Sequence, residues 1–132
     1  MLDLVLAAAL AADVSPCADL LVATPKLQIV SAPNRGFDNA IVTVDVRNRG
    51  VVAQPNDTRQ HLEIVQNGTV LGAQPIPPLG PQRHYPAAFR IQLPARKTHD
   101  PLAVTFRYVL DSHNAAQANC STHNDLLHAV LS

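Results

Sequence analysis

The sequence predicts an all-β fold, an antiparallel sandwich of about seven short strands, and three observations predict it. Apolar and polar residues alternate in several runs, most cleanly at Ile41-Val42-Thr43-Val44-Asp45-Val46-Arg47. There Val42, Val44 and Val46 share one face while Thr43, Asp45 and Arg47 share the other, the period of a half-buried strand and not of a helix. Turn residues close such runs at short intervals. Finally, 11 prolines in 132 residues are excluded from helix interiors and central strands, so they mark connections between short strands.

A chain of this length makes one ordinary domain. With 47% hydrophobic and 15% charged residues and a net charge of +0, it lacks the composition of a disordered chain. It also lacks the basic excess that neutralises phosphates, which excludes nucleic acid as an expected partner.

Residues 1–17 read as a signal or leader segment and residues 18–132 as the domain. Met1 to Ala12 is apolar but too short to span a bilayer, and Ala9-Leu10-Ala11 fits a small-x-small cleavage site. Asp3 stands where a positive n-region belongs, which leaves two alternatives open, a misplaced start or a short native helix. Pro16 precedes Cys17 where lipoprotein signals carry a small residue, which argues against lipid anchoring. No other stretch is apolar enough for a membrane span.

Within the domain, Ala18 to Val22 and Leu27 to Val30 are candidates for an edge strand, with Pro25 at a break. Pro33 to Asp38 reads as a turn and Ile41 to Arg47 as the second strand, closed by Gly50, whose missing Cβ permits the positive φ of a tight turn. His61 to Gln66 places Leu62 and Ile64 on one face and His61 and Glu63 on the other. Asn67-Gly68 is a strong hairpin signal, and Val70 and Leu71 begin the return strand. The proline-rich run Pro75 to Pro81 is expected to cross between sheets with Ile76 and Leu79 tucked inward. Phe89, Ile91 and Leu93 form the next apolar face, then Val104, Phe106, Tyr108 and Leu110. A polar loop from Asp111 to His123 precedes a last strand, Asp125 to Leu131, whose spacing would also suit one or two helical turns.

The order of these landmarks resembles CARDB, the cell-adhesion-related domain found in bacteria. The resemblance rests on Asp19-Leu20, on Val44-Asp45-Val46-Arg47-Asn48-Arg49-Gly50, on Asn67-Gly68, on Ile76-Pro77-Pro78-Leu79-Gly80-Pro81, and on Asp111 and Asn124-Asp125. It covers roughly Ala18 to Leu131 and implies an immunoglobulin-like β-sandwich of exported and cell-surface proteins, used for adhesion or scaffolding, with no catalytic residues to carry over. The last loop departs from the family: Ala115 to His123 replaces its Glu- and Asn-rich run. In an immunoglobulin-like sandwich the first strand can lie parallel beside the last, which would bring Cys17 and Cys120 to one end. A disulfide between them would close a loop of about 100 residues and add up to roughly 4 to 5 kcal/mol; two unpaired thiols are the alternative.

Other chemistry is thinly represented. His113, His123 and His128 surround Cys120, but without the compact paired spacing of zinc motifs. Asp111, Asn114, Asn119 and Asp125 supply oxygen atoms without the Asp-x-Asp-x-Asp spacing that wraps calcium. No metal site, cofactor or catalytic motif is therefore expected. Phe89, Phe106 and Tyr108 fit core faces, leaving Phe37 and Tyr85 as the exposed aromatic contacts. Asn56, Asn67 and Asn119 open Asn-x-Ser/Thr sequons, of which Asn67 is better read as turn chemistry.

These readings favour a non-catalytic, secreted or periplasmic interaction or adhesion module of the bacterial cell envelope, whose partner is a protein or another envelope component. The alternative is a periplasmic metal-binding protein using the C-terminal histidines.

Overall fold

The computed structural model describes residues 17–30, 37–94, 101–112, 118–120 and 125–132; the leader expected over residues 1–17 lies outside them except for Cys17. Among the described residues are seven strands: β1 (Leu20–Ile29), β2 (Phe37–Asn48), β3 (Gln60–Gln66), β4 (Thr69–Ile76), β5 (His84–Pro94), β6 (Leu102–Leu110) and β7 (Leu126–Leu131). They form two antiparallel sheets, one ordered β1-β2-β5 and the other β4-β3-β6-β7. This is the antiparallel β-sandwich that the alternating runs imply, in the immunoglobulin-like form that the resemblance to CARDB implies.

The inward faces are those of the sequence pattern. Val42, Val44 and Val46 of β2 oppose Leu62 and Ile64 of β3 across the core, with Phe89, Ile91 and Leu93 of β5 and Val104, Phe106 and Tyr108 of β6 beside them, all buried. Fully burying each Val, Leu or Phe side chain is worth about 1.5–3 kcal/mol, so the alternation itself holds the sheets face to face. Phe89 and Phe106 meet from opposite sheets with ring centroids 6.3 Å apart. Asn67 and Gly68 both take positive φ, 50° and 78°, the conformation of a type I′ hairpin turn.

Several boundaries differ from the expectations. The two candidate edge segments are a single β1, whose pairing with β2 shifts register between Ala23 and Lys26; Pro25 produces a bulge there and not an end. Strand β2 begins at Phe37, inside the expected turn, because Phe37 and Asp38 pair with Pro94 and Leu93 of β5. Pro75 and Ile76 belong to β4 and pair with His61 and Gln60. Proline is tolerated there because β4 is an edge strand, and the crossing between sheets starts only at Pro77. Ile76 and Leu79 are buried as expected. Strand β5 starts at His84, so Tyr85 is not a loop aromatic but half-buried against the core; the side chain of Phe37 lies outside the described residues. β7 is a strand and not helical turns. It pairs with β6, while β1 pairs with β2 in the facing sheet, so the first and last strands share an end without forming a ladder.

Candidate functional site

Two polar assemblies stand out against this apolar core, one at the end where β1 and β7 begin and one on the outer face of the β4-β3-β6-β7 sheet. At the first, Cys17 and Cys120 form a disulfide with their Cα atoms 5.9 Å apart. Both cysteines precede a strand, so the bridge ties the start of β1 to the approach to β7. The backbone supports it: Cys120 N–H donates to the Ala18 carbonyl at 3.0 Å, and Leu20 N–H donates to Asn119 Oδ1 at 3.1 Å. Asn119 Nδ2 in turn donates to Asp125 Oδ1 at 3.0 Å. Burial pushes the Asp125 carboxyl above its ordinary value against that hydrogen bond, and the Asp19 carboxylate pushes it the same way.

Next to the bridge, Asn48 at the end of β2 is fully buried and uses its whole amide. Its Oδ1 accepts from the N–H groups of Asp19 at 3.1 Å and Gly50 at 2.9 Å, while its Nδ2 donates to the carbonyls of Val52 at 2.9 Å and Leu79 at 3.2 Å. Gly50 is required by space and not by positive φ, as the sequence suggested: a Cβ there would lie 2.9 Å from the Cys17 carbonyl oxygen and 3.0 Å from Asp19 N. Gln54 and Gln60 form a second buried set, each donating from Nε2 to the other's Oε1 at 2.8 Å. Gln54 also donates to the Ala118 carbonyl at 2.8 Å and accepts from Leu79 N–H at 2.9 Å. The Tyr108 hydroxyl donates to Gln60 Oε1, and burial, helped by the carboxylates of Asp125 and Asp111, raises the phenol well above its ordinary value. These amides are satisfied by one another and by backbone. Their role is to join loops to strands.

The outer-face assembly is built on the alternation of β3, which sends His61 and Glu63 outward between Leu62 and Ile64. His61 Nδ1 lies 2.7 Å from Asp111 Oδ2 and its Nε2 lies 3.1 Å from Glu63 Oε2. Arg107 faces Glu63 across the β3–β6 ladder, and its Nε donates to Glu63 Oε1 at 2.8 Å. Partial burial opposes the imidazolium, but hydrogen bonds to Asp111 and Glu63 outweigh it and raise His61 above its ordinary value. The hydrogen bonds from His61 and then Arg107 hold Glu63 below the usual carboxylate range. Both ring nitrogens of His61 are engaged by carboxylates, and in its protonated form the imidazole has no lone pair to give a metal.

Cys17 and Cys120 come together, and Cys120 is consumed as a possible thiolate ligand. His128 lies on the outer face of β7 with Nδ1 2.9 Å from Thr105 Oγ1, while His113 and His123 lie outside the described residues. Of the oxygen-bearing residues weighed for calcium, Asp111 pairs with His61 and Asp125 with Asn119, and Asn114 lies outside the described residues. Among the described residues, no group of three His, Cys, Asp or Glu side chains is arranged to hold a metal ion, and no helix is long and apolar enough to cross a membrane. Asn67 is turn chemistry, as expected. The sequence reading missed Gln54 and Gln60, whose pairing no local pattern announces, and the contact of Arg107 with Glu63, which follows only once the β3–β6 register is known.

No protein-family model matches the chain, and no curated protein sequence does. Among solved structures it is similar to the CARDB domain of a protein from Pyrococcus furiosus, described as being in complex with di-metal ions. The likeness has a TM-score of 0.52 at 20% sequence identity and covers 88% of this chain and 93% of that chain. Likeness at this identity carries the arrangement of strands and not the relative's ligands. The seven strands, their division between two sheets and this match together give the chain a CARDB-like fold.

Proposed function

We propose that the chain is a non-catalytic interaction or adhesion module that works outside the cytoplasm, in the bacterial cell envelope. The observation that carries this reading is the Cys17–Cys120 bridge, because disulfides persist in oxidising compartments and are rare in reducing ones. The apolar stretch from Met1 to Ala12 supports export, and the CARDB-like fold supports a domain that displays surfaces and loops. Its partner would be a protein or another envelope component, recognised through loops or a sheet edge.

The test is the intact mass of the protein expressed with its native leader and exported, measured with and without reduction. A chain starting near Ala12 or Asp13 and lighter by two hydrogens before reduction supports the reading. Retention of Met1 with two free thiols overturns it and returns Cys120 and its neighbouring histidines to consideration as metal ligands.

A further inference from the structure

The two sheets present four edges, β1 and β5 on one and β4 and β7 on the other, and three of them carry the devices that discourage edge pairing. β1 has its register shift with Pro25 and Lys26, β5 has Pro86 and Arg90, and β4 has Pro75 and a register shift opposite Ile64 and Val65. β7 has none. Its sequence, Leu126-Leu127-His128-Ala129-Val130-Leu131, contains no proline, glycine, lysine, arginine or carboxylate.

The backbone phase of β7 can be fixed. Tyr108 N–H donates to the Asp125 carbonyl at 2.8 Å, so Asp125 is a hydrogen-bonded partner of β6, and such pairs alternate along an antiparallel ladder. Leu127, Ala129 and Leu131 therefore direct their N–H and C=O groups at β6. Leu126, His128 and Val130 direct theirs at the open edge. The same three side chains stand on the outer face, where Leu126 is 52% and Val130 71% exposed, and Ala103 and Val65 beside Val130 extend the apolar strip.

We propose that β7 pairs antiparallel with β7 of a second copy, centred on His128, joining two four-stranded sheets into one continuous sheet. The strand is its own complement under a two-fold axis. Leu126 of each copy falls opposite Val130 of the other and His128 falls opposite His128, so apolar side chains meet and no fixed charge opposes another. Each of the three facing pairs is of the hydrogen-bonded kind and exchanges two N–H···O bonds. A charged peptide would find no counter-charge on this strand, whereas a second copy matches it residue for residue. An edge-to-edge contact is small beside the roughly 1,200 Å² of a stable interface, so the dimer is weak and depends on concentration. Self-association through β7 does not depend on a role in the cell envelope.

Sedimentation equilibrium of the full chain, from about 10 μM to 1 mM, tests it together with amide exchange by NMR. The apparent mass rises from 14.2 kDa towards twice that value, and the amides of Leu126, His128 and Val130 gain protection with concentration. Leu126→Lys and Val130→Lys each weaken association by about tenfold or more, and Leu71→Lys on the β4 edge leaves it unchanged. Intact bridging and an unchanged melting temperature identify the variants as folded. A wild-type chain that stays monomeric throughout overturns the proposal, as does a dimer indifferent to both β7 lysines or one whose Leu126, His128 and Val130 amides exchange freely.

Discussion

Asn48 and His61 show how much of this small domain depends on single polar side chains. The Asn48 amide satisfies two N–H groups and two carbonyls beside the disulfide, where the β1–β2 ladder ends and the loops around Val52 and Leu79 meet it. Replacing it by alanine strands these groups in a buried site, where each unsatisfied partner costs about 1–3 kcal/mol before relaxation or water entry. Asn48→Ala is expected to lower stability by about 2–4 kcal/mol in urea denaturation. A loss below about 1 kcal/mol would show that the loops hold themselves. His61 links stability to pH. Its pKa is raised on folding, so the stabilisation is fully present below the ordinary value of 6.5 and is lost as pH rises through the folded value. Glu63 is lowered, so its contribution is present above the ordinary value of 4.5 and is lost as pH falls through the folded value. The two windows overlap between them. Melting temperature should therefore fall on the alkaline side of that window, and His61→Gln should flatten this limb; an unchanged slope in the variant would remove His61 as the cause.

At the scale of elements, the β3–β4 hairpin is the clearest case of local sequence setting local structure. Asn67 and Gly68 adopt the positive φ that a two-residue turn between right-twisted strands requires. A Cβ on Gly68 would meet nothing within 4 Å, so the cost of Gly68→Ala comes from backbone strain alone, about 1 kcal/mol. Gly50→Ala differs in kind, because the new methyl would press on the backbone of residues 17 and 19, and it should cost about 1–3 kcal/mol. Equilibrium denaturation of both variants measures the contrast, and a Gly68→Ala loss equal to or above that of Gly50→Ala would contradict it. The same contrast shows what was legible in the sequence. Alternation gave the buried faces of β2, β3, β5 and β6 because a period of two is a local property. The bounds of β2 and β5 were not legible, since Phe37 and Tyr85 join strands only through their partners across the ladder. Nor was the place of Pro75, which is allowed in a strand only because β4 has no outer neighbour. The candidate site divides likewise: Cys17 and Cys120 could be paired by analogy with a sandwich, and His61 and Glu63 could be put on one face. Their link to Arg107 and Asp111 needed the third dimension.

For the molecule as a whole, the bridge sets how the folded chain compares with its unfolded state. Cys17 and Cys120 are separated by 103 positions, so the disulfide encloses most of the described domain and restricts the unfolded chain far more than the folded one. In the chain-entropy model a loop of that length is worth about 4–5 kcal/mol, with strain subtracting from it. For a domain whose total stability is of the order of 5–15 kcal/mol, that is a large share. The folded state itself does not need the bond to place the two segments, because the Cys120 N–H to Ala18 carbonyl bond, the Leu20 to Asn119 bond and the Asn48 amide already hold them. Reduction should therefore leave the sandwich folded but lower its unfolding free energy by about 3–5 kcal/mol, with a steeper denaturant slope as the freed unfolded chain expands. Paired urea titrations of the oxidised and reduced protein measure both quantities. A stability difference under about 1 kcal/mol with an unchanged slope would mean that the unfolded chain is already compact around this end and that the bridge adds little by restricting it.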